Sequence, residues 1–170
     1  MTKLRLPKPF ELLLAWHGLF AGAYTVAYLT AESAESPAGL HQFAGYLLIG
    51  LLALRLLAAA LTPERSPWAL PWPQAALWRN FFRKLTAGDG AALRNRTPLA
   101  PLSGLVVLGT LVVVGLTGLT AEWWRWEDLH EGPAEASLAV VLIHVAIVSL
   151  GPALKRLAEP RTGAGETQSA

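Results

Sequence analysis

The sequence predicts an all-α membrane protein: a four-transmembrane-helix bundle with a cytoplasmic amphipathic interfacial helix between helices 2 and 3. Three observations predict it. Hydrophobic residues make up 53% of the 170 and charged residues only 15%, with a mean hydropathy of +0.39, an imbalance that soluble domains do not show. Four apolar stretches each reach the roughly 20 residues that a helix needs to cross a bilayer at about 1.5 Å per residue. The basic residues are sorted by loop rather than gathered into a patch, which is the mark of membrane topology and argues against nucleic acid as a partner.

The first stretch, residues 10–29, follows Lys3, Arg5 and Lys8 and has no convincing cleavage site after it, so it reads as a retained span. The second covers residues 39–61. The long connection that follows, Thr62 to Pro98, is rich in Pro and Trp and contains WPQAALWRNFFRKL. There Leu77, Trp78, Phe81, Phe82 and Leu85 recur at helical spacing while Arg79, Arg83 and Lys84 take the other side. Residues 73–86 therefore read as a basic amphipathic helix, either lying on an anionic membrane surface or packed on the protein as a loop helix. The third span covers residues 99–121 and the fourth residues 133–154. Residues 1–159 form one membrane-embedded domain, and 160–170 a tail expected to be disordered.

Of the fourteen Lys and Arg, three precede the first span, six lie between the second and third, and three follow the fourth. The two opposite loops hold Glu32, Glu35, Glu122, Glu127, Asp128, Glu131, Glu135 and one basic residue, Arg125. Positive loops stay inside, so both termini are expected on the cytoplasmic face of a bacterial inner membrane. Trp123, Trp124 and Trp126 then belt the outer interface, and Trp68, Trp72 and Trp78 the inner one.

The chain has no cysteine, which excludes disulfides, thiolate metal sites and covalent c-type haem attachment. It has four histidines, and all fall in or at the edge of predicted spans. A histidine among aliphatic residues is costly and asks for a partner. The first helix runs outward and puts His17 roughly 10 Å inside the inner boundary; the fourth runs inward and puts His144 roughly 15 Å from it. His41 and His130 both sit near the outer face. Two pairs at two levels are what two bis-histidine haems stacked across a membrane require. His130 and His144 are 14 residues apart, about 21 Å of helical rise and within about 40° of one face, so one helix can serve both levels. A histidine taken singly could instead bridge helices or relay protons. A structural zinc site would need its ligands clustered.

Gly45 lies one turn after His41, Gly18 and Gly22 follow His17, and Gly104, Gly115 and Gly118 offer room on the third span. Arg55 and Arg125 are candidate partners for haem propionates; the alternatives are snorkelling for Arg55 and an exposed interfacial side chain for Arg125. Pro133 either bends the fourth helix or begins it.

WHGLFAGAY with His17, LHQFAGYLLIGLLALRLL with His41 and Arg55, VVLGTLVVVGLTGL, and WEDLHEGPAEASLAVVLIHV with His130 and His144 together make the chain resemble the bacterial cytochrome b561 and nickel-iron hydrogenase b-type cytochrome family, over about residues 10–155. The resemblance implies two haem b groups held by the residues that match the family's ligands, His17 and His144 on the inner iron and His41 and His130 on the outer, and a subunit that exchanges electrons with the quinone pool. Gly-Pro after His130 and the Pro/Trp-rich connection depart from the family's pattern.

The expected function is electron transfer between quinone and a periplasmic redox partner, a c-type cytochrome or an oxidoreductase subunit, in a lipid-embedded protein that could also form a homodimer. Superoxide oxidation at the outer face is a variant, against which the acidic outer loops argue. A haemless anchor or transporter subunit is the reading from another class. Gln42, Tyr46, Thr110 and Thr117 qualify by type as quinone contacts.

Overall fold

A computed structural model describes residues 8–31, 39–72, 74–89, 92, 97–124 and 127–158. All regular structure among them is helical. The helices are α1 (Pro9–Leu29), α2 (Leu40–Leu61), α3 (Ala75–Thr86), α4 (Leu99–Trp124) and α5 (Glu127–Ala158). Four of them, α1, α2, α4 and α5, are long and apolar enough to cross a membrane. Within lipid no water is available to the backbone, so a spanning segment of this length closes its hydrogen bonds internally as a helix.

The ends follow ordinary capping chemistry. Pro9 is the first residue of α1, where its missing N–H costs nothing, and Glu11 accepts the backbone N–H of Lys8 at 2.9 Å. Gly39 precedes α2 with φ 98°, a left-handed conformation open to glycine. α3 stops at Gly88, φ 67°, with Asp89 N–H returning to Lys84 O at 2.9 Å.

α5 starts six residues before the expected boundary at Pro133, so the proline lies inside the helix. Acidic Asp128 and Glu131 near the positive end of the helix dipole, and the strong helix formers Ala134, Glu135 and Ala136 beyond, favour helix on both sides of it. His130 is consequently a helical residue, and the 14-residue spacing to His144 runs along one continuous helix.

α1 packs on α2, α2 on α4 and α4 on α5. The contacts are lined by small residues. Ala23, Ala27, Ala44, Ser103 and Ser137 are buried, together with Leu51, Leu52 and Leu111, as expected where helices approach without a hydrophobic drive between them. Large side chains such as Leu14, Leu19, Phe43, Leu57, Leu116, Leu142 and Ile143 point outward instead. A hydrogen bond between Tyr24 Oη and Ser137 Oγ, 2.8 Å long, links α1 to α5.

α3 has no buried residue. Trp78 stacks on Phe82 with centroids 5.5 Å apart and meets Phe81 edge-on at 6.2 Å, so its aromatic side chains gather on one side, with Phe82 and Leu85 exposed. This is the amphipathic helix between the second and third spans.

Candidate functional site

The four imidazoles fall into the two pairs that depth suggests. The His41 and His130 ring centres are 6.3 Å apart with planes at 67°. His17 and His144 lie within electrostatic range of each other. Among the described residues no three His, Cys, Asp or Glu side chains gather around a point that could hold a metal ion by themselves. Each pair therefore offers a metal two nitrogen donors.

Each ring is oriented by a second hydrogen bond. His41 Nδ1 lies 2.8 Å from the carbonyl of Ala27 on α1; a carbonyl only accepts, so this nitrogen carries the proton and Nε2 is left with its lone pair. His17 bonds the backbone of Leu13, one turn earlier in its own helix. The two α5 histidines use hydroxyls on α4. Ser103 Oγ is 2.9 Å from His144 Nδ1 and Thr117 Oγ1 is 3.3 Å from His130 Nδ1. Both hydroxyl protons are committed elsewhere, Ser103 to Ala100 O at 2.9 Å and Thr117 to Val113 O at 2.9 Å. A hydroxyl has one proton, so toward histidine each must accept. His144 is thereby fixed in the same tautomer as His41, protonated at Nδ1 and bare at Nε2, while His130 divides its contacts between Thr117 and the backbone of Val114.

A glycine stands next to each of these hydroxyls. A Cβ on Gly118 would come within 3.2 Å of His130 Cε1, and one on Gly104 within 3.9 Å of His144 Cε1. The space expected beside Gly104 and Gly118 is thus occupied by the imidazoles themselves. That beside Gly115 is taken by Ile49 of α2, 3.3 Å from where a Cβ would be, so Gly115 serves the α2–α4 contact. A Cβ on Gly18, Gly22 or Gly45 would meet nothing within 4 Å.

Arg55 is buried at 8% exposure. It does not reach outward along the surface. Its guanidinium donates to the carbonyls of Trp68 and Ala69 and lies 5.8 Å from the Trp68 ring centre. Trp68 in turn donates its indole N–H to Pro9 O at 3.0 Å, and Trp16 donates to Leu51 O at 3.0 Å while its ring meets His17 at 5.1 Å. The connection after α2 is in this way tied across the end of α1 next to His17. Arg125 lies outside the described residues, as does the tail 160–170.

Ser103, Thr117, Tyr24 and Ser137 were not singled out by the sequence as companions of the histidines, Thr117 having drawn notice only as a polar group. The signal was present. Ser103-Gly104 and Thr117-Gly118 are 14 residues apart, as are His130 and His144, and two antiparallel helices with equal spacings present two equivalent rungs. Ser137 is the midpoint between those histidines and Tyr24 lies seven residues after His17, so their hydrogen bond sits between the two levels.

The family model for prokaryotic cytochrome b561 matches residues 11–159 of the chain. No curated protein and no solved structure matches it.

Proposed function

Because the chain belongs to the prokaryotic cytochrome b561 family, a family of membrane b-type cytochromes that transfer electrons, we propose that it holds two haem b groups, one between His17 and His144 and one between His41 and His130, and passes electrons between quinone and a periplasmic redox partner. The observation that carries this reading is the pairing of the four imidazoles at two levels of one four-helix bundle. A metal-bound imidazole nitrogen lies about 2 Å from the ion, and the ring centre about 1.1 Å further, so two imidazoles on opposite sides of one iron have centres about 6 Å apart. The 6.3 Å between His41 and His130 fits that arrangement. The donor set fits as well, since paired neutral imidazoles are nitrogen ligands suited to haem iron.

When bound, each haem, held by His17 and His144 or by His41 and His130, would supply a one-electron iron couple suited to electron transfer. The chain does the rest. His17, His41, His130 and His144 hold the two levels about 21 Å apart along α5, with their ring orientations set by Leu13, Ala27, Thr117 and Ser103. The outward-facing aliphatic side chains seat the bundle in lipid and keep water from the rings. Arg55, close to the His17 level, would place a positive charge where a propionate of the inner haem could use it, with part of its donor capacity already spent on Trp68 and Ala69. Arg125 would serve the outer haem.

The sorting of basic residues supports a bacterial inner membrane with both termini in the cytoplasm and the His41 level toward the periplasm. Acidic residues on that side suit a basic docking partner such as a c-type cytochrome.

Haem quantification and a reduced-minus-oxidised visible spectrum on purified protein test the reading. Two b-type haems per chain are expected, and His17→Ala and His41→Ala should each retain about one. A wild-type protein without a b-type band after expression with ample haem would refute the proposal, and equal loss of both groups from each variant would refute the pairing.

A further inference from the structure

We propose that Ser103 and Thr117 are positioning residues that set the redox potentials of the two haems separately, one hydroxyl for each iron, by accepting the Nδ1 proton of the α5 ligand. The inference rests on the ligand assignment made above and goes beyond it. The geometry is a repeated unit. Ser103 and Thr117 lie 14 residues apart on α4, His144 and His130 lie 14 apart on antiparallel α5, and each hydroxyl points at the Nδ1 of its own histidine, at 2.9 Å and 3.3 Å. Each hydroxyl is anchored by donating to its own helix, to Ala100 O and to Val113 O. Each is followed by a glycine that lets the ring close on α4.

An anchored hydroxyl that can only accept does more than orient the ring. Drawing the Nδ1 proton outward makes the imidazole a stronger electron donor at Nε2, which favours ferric over ferrous iron and lowers the potential. His41 and His17 rest on backbone groups, Ala27 and Leu13, and His130 also meets the backbone of Val114, contacts that no substitution removes. On the α5 side a side-chain hydroxyl reaches each ring as well, and a substitution can remove it. Ser103 is 8% exposed, so removing its hydroxyl admits no ready replacement from water.

Redox titrations of Ser103→Ala and Thr117→Val in lipid nanodiscs test this, with each wave assigned using His17→Ala and His41→Ala, which keep one group each. Ser103→Ala should raise only the potential of the His17–His144 haem, by a change of about tenfold in its ferric preference, or about 59 mV for one electron. Thr117→Val should raise only that of the His41–His130 haem, and by less, because its hydrogen bond is longer and the Val114 backbone contact of His130 remains. Ser103→Thr and Thr117→Ser keep the acceptor and should stay at the wild-type values. Potentials unmoved by Ala and Val, or both couples shifting together, overturn the proposal while leaving the ligand assignment intact. If Ser103→Ala loses its haem, Ser103→Thr decides: retention at an unchanged potential supports the proposal, and loss or an equal disturbance overturns it. Wild-type protein without two haems would instead overturn the assignment beneath it.

Discussion

Gly118 and Gly104 occupy equivalent places beside the two α5 imidazoles but with unequal clearance. At 3.2 Å from His130 Cε1 a new methyl group would have to displace the ring, whereas 3.9 Å from His144 Cε1 is ordinary contact. Gly118→Ala is therefore expected to lower occupancy of the His41–His130 haem and broaden its spectrum, and Gly104→Ala to leave both groups in place; haem content per chain and low-temperature absorption measure it. Full occupancy in Gly118→Ala would show that the ring has slack. At this scale the histidines were legible because an imidazole in hydrocarbon is conspicuous. Their hydroxyl partners were not, since Ser and Thr in membrane helices ordinarily bond their own preceding turn, as Thr25 does with Ala21. Residue type alone does not say which hydroxyl also turns to a neighbour.

Between elements, Tyr24 and Ser137 form the polar link between α1 and α5 at the level midway along the bundle. Ser137 is 1% exposed and donates to Ala134 O at 2.6 Å, so it receives the Tyr24 hydroxyl proton. Tyr24→Phe keeps the ring and removes this bond. It should cost about 0.6 to 1.7 kcal/mol in reversible unfolding from mixed micelles, the range of interhelical hydrogen bonds in membranes, with both haems retained. A cost near zero would mean that α1 is held by other contacts. The four spans were readable from length and apolarity, which are direct demands of the bilayer. The start of α5 was not. Proline commonly opens a helix, and the counterweight from Asp128 and Glu131 with Ala134 and Ala136 becomes visible only once the segment is seen to be helical on both sides of Pro133.

Across the whole molecule, the His17–His144 level, beside the connection after α2, is braced differently from the other. Arg55 ties the Trp68 and Ala69 carbonyls to α2, and Trp68 ties the same segment to Pro9 at the head of α1. Lysine cannot reproduce a planar fork that serves two carbonyls at once. Arg55→Lys is thus expected to cost about 1 to 3 kcal/mol and to release haem first from the His17–His144 site on mild heating, followed by the wavelength-resolved loss of the b-type bands. Simultaneous release from both sites would show that the brace is not local. The four-span plan was legible from the apolar stretches, but the role of Trp68 was not, because an interfacial tryptophan reads as a lipid anchor by default and its carbonyl carries no mark in the sequence. Since that brace is a stretch of ordinary connecting chain rather than a span, a single proteolytic nick between residues 63 and 70 should uncouple the first two helices at one end only. The molecule would then come apart like an unbuttoned collar, opening on one side while the far pair of rings stays fastened.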